Sequence, residues 1–181
     1  MTELDRSAAE YDPLAPPPGP PVVVIGCGNL LRGDDAAGPV LVRHLWELGV
    51  GEHARLVDGG TAGLDVAFAM RCAEQVILVD ACATGAEPGT LFRVPAEEVE
   101  AIEVPTELHS HAFRWDHALS YGRWLLKDQY PERIEVWLIE AGNVAHGAPL
   151  SDPVDRAVRA LAERLARDLG VTGAARPSDG A

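Results

Sequence analysis

One stretch of the sequence decides the fold of this chain: VVVIGCGNLLRGDD, which spans residues 22–35. Its first four residues are apolar and β-branched, which is typical of a strand inside a sheet. A glycine-rich turn follows, and beyond it Leu41, Leu45 and Leu48 recur at helical spacing. The stretch therefore predicts a strand, a tight turn and a helix, with two adjacent carboxylates just before the helix.

The same alternation of strand and helix continues along the chain. The third strand is apolar on both faces until it ends in Asp80, which indicates a sheet covered on both sides. The closing helix has Asp152 as its predicted N-cap and Pro153 at its first helical position. The predicted strands are 22–25, 55–58, 76–80, 90–94 at an edge of the sheet, and 134–139. The pattern predicts an α/β fold, a three-layer α/β/α domain with a twisted, mostly parallel sheet of about five strands.

Composition suggests where this domain begins and ends. Residues 1–21 finish with five prolines in six positions, which argues against helix or ladder strand and predicts a flexible arm. Residues 171–181 are similarly rich in small and polar residues, and we expect a flexible tail there. A single α/β domain over residues 22–170 is long enough to bury a substantial core.

The charge of the chain restricts its partners. The net charge is −13, and neither nucleic acid nor an anionic membrane surface is an expected partner because both require a positive face. No apolar run reaches the length of about 18 residues that a membrane span needs. The three cysteines form no C-x-x-C pair, which favours a reduced, cytoplasmic protein. We expect a monomer whose cysteines serve as packing residues.

Several candidate functional residues follow predicted strands, where α/β sheets collect their ligands. The turn after the first strand is not a dinucleotide fingerprint, because Leu31 stands where the sixth-position glycine is required. One of Asp34 and Asp35 is expected to cap the helix, which leaves the other as a ligand or acid-base group. Asp80 ends a buried strand, where a carboxylate needs a partner or a metal. Asp58 is expected to shape the glycine-rich loop that follows it.

A histidine segment offers the nitrogen ligand. His109 and His111 are two residues apart, so one of them is expected to face the site and the other solvent. His117 falls in the following helix and is expected to be a surface or packing residue. With Asp34 or Asp35 and Asp80, the segment predicts a metal site of two oxygen ligands and one nitrogen, suited to zinc, manganese or nickel.

These motifs, taken in order, resemble those of the NiFe-hydrogenase maturation endopeptidases, which process the C-terminus of the hydrogenase large subunit. The resemblance covers about residues 22–168 and lies in five motifs: G-x-G-N-x-L-x-x-D-D-x-x-G at 26–38, D-G-G-T-x-G at 58–63, V-D-A at 79–81, P-G-T at 88–90 and S-H at 110–111. Many members carry a glycine after the second acid, where this chain has Ala36, so a conventional backbone angle is expected there.

The resemblance implies a function and assigns residues to it. It implies an endopeptidase that removes the C-terminal extension of a hydrogenase large-subunit precursor after nickel insertion. By position it assigns Asp35, Asp80 and His111 as the metal-contacting residues, and it implies that the metal is the substrate's own nickel.

We expect Asp35 and Asp80 to take part in catalysis as well. Asn29 and the backbone amides of the glycine turn are expected to stabilise the tetrahedral oxyanion. The attacking water is activated either by the metal or by a free carboxylate. Two alternatives remain at the level of sequence: a nucleotide- or cofactor-binding α/β enzyme, and a non-catalytic accessory protein that senses metal.

Overall fold

Five strands form one sheet in the computed structural model, which describes residues 17–100 and 115–171. Its spatial order is β2-β1-β3-β5-β4. The strands are β1 (Val22–Cys27), β2 (Arg55–Gly60), β3 (Gln75–Cys82), β4 (Leu91–Pro95) and β5 (Arg133–Glu140). All neighbours pair in parallel except β4, which runs antiparallel to β5 at one edge. The mostly parallel sheet and the edge strand are therefore confirmed.

Helices cover both faces of the sheet. They are α1 (Ala37–Glu47), α2 (Gly63–Ala69), α3 (Ala96–Glu100), α4 (Trp115–Leu126) and α5 (Asp152–Asp168). Helices α1 and α5 pack on one face with Val24 in their core, whereas α2, α3 and α4 pack on the other with Val23 and Ile25. This alternation of neighbouring residues between two cores explains why β1 is apolar throughout. Among the described helices, none combines the length and the apolar character that crossing a membrane requires.

Two details of the fold differ from expectation. The closing helix begins at Asp152, so its N-cap is Ser151 and the prediction of Asp152 as N-cap was wrong by one residue. Pro153 still lies in the first turn, where its missing N–H costs nothing. The short helix α3 was not predicted, and it forms because Ala96 and Val99 are buried within an otherwise acidic segment.

Other predictions fall outside the described residues. Most of the predicted arm, residues 1–21, and most of the predicted tail, residues 171–181, lie there. The same is true of His109 and His111.

The topology opens a crevice at the carboxyl ends of β1 and β3. From β1 the chain passes to β2 on one side and then returns to β3 on the other, so the two connections diverge. This is the place where open α/β sheets bind their ligands. Gly26 and Gly38 let α1 approach the crevice closely, since a Cβ on Gly26 would lie 2.1 Å from the Gly38 carbonyl oxygen.

Candidate active site

The backbone of Asp35 and the carboxylate of Asp80 both lie beside Gly28 at this crevice. Gly28 has a φ of +130°, and its N–H donates to the carbonyl oxygen of Gly60 at 2.8 Å. A Cβ added to Gly28 would lie 1.9 Å from the Asp35 carbonyl oxygen and 3.5 Å from Asp80 Oδ1. Only glycine fits this position, because both the backbone angle and the space exclude a side chain. The backbone of Asp35 and the carboxylate of Asp80 are thus brought together.

The two carboxylates differ in their surroundings. Asp80 is the sixth residue of β3, is 8% exposed, and accepts a hydrogen bond at Oδ1 from the Ala81 N–H at 2.8 Å. Asp35 is half-buried in a single 3₁₀ turn, Gly33–Ala36, that leads into α1. Ala36 has a φ of −79°, the conventional angle expected for an alanine at that position. A site with one buried and one accessible carboxylate suits both metal binding and proton transfer.

Asp34 has a different task from its neighbour. It is fully buried and accepts four hydrogen bonds: from the N–H groups of Gly142, Asn143 and Ser151 at 2.7–2.8 Å, and from Ser151 Oγ at 3.0 Å. Neither the 3₁₀ turn nor α1 receives a side-chain cap, so the expectation that one aspartate caps the helix was wrong. The Asp34 carboxylate instead ties the turn to the loop before α5.

Asn29 is also part of this turn. Its Oδ1 accepts a hydrogen bond from the Leu31 N–H at 2.9 Å, and its own N–H donates to the Asp35 carbonyl oxygen at 3.0 Å. The Arg32 N–H donates to the Asn29 carbonyl oxygen. With the Gly28 N–H, four amides of the turn are therefore committed to protein acceptors. Because these four N–H groups already have acceptors, the expectation that the glycine-turn amides stabilise an oxyanion was wrong for them. The Asn29 side-chain Nδ2 is the remaining candidate donor in this turn.

Glu140, at the end of β5, is a site residue that sequence reasoning missed. Its carboxylate is 2% exposed and accepts from the Thr84 N–H at 2.9 Å, Thr84 Oγ1 at 2.8 Å and the Gly85 N–H at 2.8 Å. These bonds fix the loop that leaves β3 after Cys82, two residues beyond Asp80. The rule that singled out Asp80, a carboxylate at the end of a buried strand, applies equally to Glu140.

Cys82 donates its thiol hydrogen to Glu140 Oε2 at 3.3 Å. Burial, together with this hydrogen bond and the nearby charges of Glu140 and Asp80, raises the pKa of Cys82 to about 12. The thiol is therefore protonated at neutral pH, which is unsuited to a nucleophile or a thiolate ligand.

Both buried carboxylates make the stability of the protein depend on pH. The Thr84 and Gly85 N–H groups lower the pKa of Glu140 to about 2, against an opposing effect of burial. Burial raises the pKa of Asp34 too, but the hydrogen bonds from Ser151, Asn143 and Gly142 outweigh it and lower the pKa below its ordinary value. A carboxylate with a lowered folded-state pKa stabilises the fold above its unfolded pKa, and this contribution is lost as the pH falls.

We predict that Glu140→Gln weakens the acid sensitivity of folding. The contribution of Glu140 should be complete above its ordinary pKa of 4.5 and disappear as the pH approaches about 2. Urea unfolding between about pH 6 and pH 3 would measure it, and wild type should lose stability more steeply than Glu140→Gln. The exposed Glu132→Gln is the matched control and should follow wild type. Equal slopes for wild type and Glu140→Gln would contradict the assignment.

The remaining candidates are placed as follows. Asp58 Oδ1 accepts a hydrogen bond from the Gly60 N–H at 3.0 Å, which is the loop-shaping role expected of it. His117 is buried in α4, in agreement with the expected packing role. Within residues 17–100 and 115–171, no three side chains of histidine, cysteine, aspartate or glutamate are arranged to hold a metal ion.

Comparison with known proteins places this geometry in a family. Residues 40–168 match the family model of HycI, described as hydrogenase maturation protease. The chain is 31% identical over 176 residues to the hydrogenase expression/formation protein HupD of Rhizobium leguminosarum, covering 93% of this chain and 85% of HupD. It is 30% identical over 166 residues to HoxM of Azotobacter vinelandii, covering 88% of this chain and 79% of HoxM.

Solved structures show the same fold. The hydrogenase maturating endopeptidase HybD from Escherichia coli superposes with a TM-score of 0.65 at 24% identity, covering 84% of this chain and 93% of HybD. The maturation protease HycI from Thermococcus kodakarensis gives a TM-score of 0.62 at 22% identity, covering 82% of this chain and 91% of that protein. Fold, family model and relatives agree with the resemblance seen in the motifs, and the chain belongs to the hydrogenase maturation proteases, a family of hydrolases.

Proposed function

We propose that this protease removes the C-terminal extension of a NiFe-hydrogenase large-subunit precursor after nickel has been inserted. The observation that carries the proposal is the close approach of the Asp35 backbone and the Asp80 carboxylate around Gly28 at the crevice of the sheet. Family membership supplies the class of reaction, and the engagement of Asp34 in four hydrogen bonds leaves Asp35 as the carboxylate for the site.

The proposal includes recognition of the nickel that the precursor carries. Asp35 and Asp80 offer oxygen ligands, and His111 would supply an imidazole nitrogen. This donor set fits a divalent ion of intermediate hardness such as nickel. The described residues fit the ion only in part, since they hold two of the three proposed ligands. An ion held by so few protein ligands keeps positions open for ligands from the precursor.

The chain's own residues would then carry out hydrolysis. A water molecule attacks the scissile carbonyl carbon, and its proton passes to a carboxylate, either Asp35 or Asp80. The carbonyl oxygen becomes an oxyanion, to which Asn29 Nδ2 would donate a hydrogen bond. The same carboxylate returns the proton to the leaving amine, so that the peptide bond is broken and the acid-base group is regenerated. We further propose that the protein acts as a monomer in the cytoplasm.

The direct test is processing of a nickel-loaded precursor in vitro. The full chain is mixed with a nickel-loaded large-subunit precursor, and the intact masses are measured over time. Loss of the C-terminal extension is expected from the loaded precursor, and no loss is expected from the same precursor without nickel. An unchanged mass of the loaded precursor would contradict protease function toward this substrate. Equal cleavage of both forms would contradict recognition of nickel.

A further inference from the structure

A groove of about 400 Å³ lies between α1 and β2 and has no role in the site described above. Its wall is formed by Pro39, Val42 and Trp46 of α1, and its opposite side by Leu56 of β2 and by Leu30. Two of these apolar side chains are exposed, Leu30 by 57% and Trp46 by 70%, whereas Val42 and Leu56 are half-buried and Pro39 is buried. Contiguous exposed apolar surface of this kind marks interaction sites in proteins.

Folding does not account for the exposure of Trp46 on this side of α1. The helix already buries Leu41 and Leu45 completely in the core that it shares with α5. Pro39 is buried as well, and Val42 lies close to Gly26 of β1, so both contribute to packing. An indole that is 70% exposed contributes little to stability, so the described fold does not explain the exposed Trp46.

The arrangement of the helices explains why the groove is open. Only α1 and α5 cover this face of the described sheet, and β2 is the edge strand next to β1. Leu56 therefore forms a floor beside α1 that no third helix covers within the described residues. Parallel sheets usually have both faces covered, so the part of β2 that α1 leaves exposed is a surface that a partner can cover.

The groove lies beside the candidate active site. Leu30 follows Asn29 directly in the turn that carries the site, and Asp58, also in the groove lining, lies two residues before Gly60. The Gly60 carbonyl oxygen accepts the hydrogen bond of Gly28, next to which the Asp35 carbonyl and the Asp80 carboxylate lie. A polypeptide lying in the groove would thus be held next to the turn that carries the site.

We propose that this groove binds a segment of the hydrogenase large-subunit precursor that carries aliphatic or aromatic side chains and no excess of acidic residues. The apolar part of the lining selects the side chains. The lining also holds Arg43 and Asp58, whose charges offset each other, so it is the net charge of −13 of the whole chain that disfavours an acidic segment. The proposal rests on the proposed function, because it names a surface that binds the precursor away from the peptide bond that is hydrolysed.

The test uses Trp46→Glu and Trp46→Ala, with Trp124→Glu as matched control. Trp124 is 68% exposed on α4, which packs on the opposite face of the sheet, so it presents an equally accessible indole away from the groove. Processing of the nickel-loaded precursor should show a KM at least about tenfold higher for Trp46→Glu, with kcat unchanged, as expected for loss of a buried aromatic contact. Trp46→Ala should show a smaller rise, and Trp124→Glu none.

Binding is measured separately in the Asp80→Ala background, so that affinity is read without cleavage. Precursor binding should weaken at least about tenfold when Trp46→Glu is added and should not change with Trp124→Glu. Unchanged KM and affinity for both Trp46 variants would overturn the docking site even if wild type cleaves normally. A change confined to the oligomeric state in ultracentrifugation would overturn it in favour of self-association. If wild type binds the precursor through Trp46 but never cleaves it, only the proposed protease function fails.

Discussion

Asp35→Ala and Asp80→Ala are expected to abolish processing of the nickel-loaded precursor while the protein stays folded. Each variant removes a carboxylate that the proposed mechanism uses as a ligand or as the group that moves the proton. Loss of a positioned acid-base group alone typically costs about 10²–10⁴-fold in rate. Asp35 is half-buried in a short turn, so its replacement should leave the unfolding transition close to that of wild type.

Processing is measured by mass spectrometry under single-turnover conditions, with circular dichroism as the check on folding. Asp128→Asn is the control, because Asp128 is an exposed carboxylate next to α4 and away from the crevice. It should process the precursor at the wild-type rate. Normal processing by both Asp35→Ala and Asp80→Ala would contradict the assignment of these two residues to the active site.

Asp34→Ala is expected to have the opposite phenotype, a large loss of stability. The variant removes the acceptor of four hydrogen bonds, three of them from backbone N–H groups of the segment before α5. Hydrogen bonds to a charged group contribute about 1.5–3 kcal/mol each, but Gly142 and Asn143 are exposed and water can replace part of the loss. We therefore expect the free energy of unfolding to fall by about 2–4 kcal/mol, a large share of a typical total.

Urea unfolding at neutral pH measures this effect, and the neighbouring Asp35→Ala serves as its matched control. Asp34→Asn should lie between wild type and Asp34→Ala, since an amide keeps one acceptor oxygen. Replacement of Asp34 would then lower mainly the stability of the protein, and replacement of Asp35 would lower mainly its processing activity. A loss of stability for Asp35→Ala as large as that for Asp34→Ala would show that the burial of Asp34 does not decide their roles.

The sequence predicts the sheet well because its signals are local. The apolar run of β1 and the burial of β3 up to Asp80 follow from which residues can stand inside a covered parallel sheet. The same reasoning selects Asp80 as a candidate, because a carboxylate at the end of such a strand needs a partner.

What the sequence alone leaves open depends on contacts between distant segments. Asp34 and Asp35 are chemically identical and adjacent, and the engagement of Asp34 depends on donors 108–117 residues further along the chain. The same contact decides the start of α5, since Ser151 directs its hydroxyl to Asp34 instead of capping its own helix. No local pattern contains this information, and only the motif resemblance distinguished the two aspartates in advance.

The two buried carboxylates hold the loops around the site chiefly through main-chain donors. Glu140 accepts the N–H groups of Thr84 and Gly85, and Asp34 accepts that of Asn143. A main-chain donor is present whatever side chain its residue carries, proline excepted. Substitutions at positions 84 and 143 would therefore keep these main-chain bonds and lose only the Thr84 Oγ1 bond to Glu140 and the bond from the Ala145 N–H to Asn143 Oδ1. A protease with altered precursor choice could be sought by randomising the two positions while keeping the two acids.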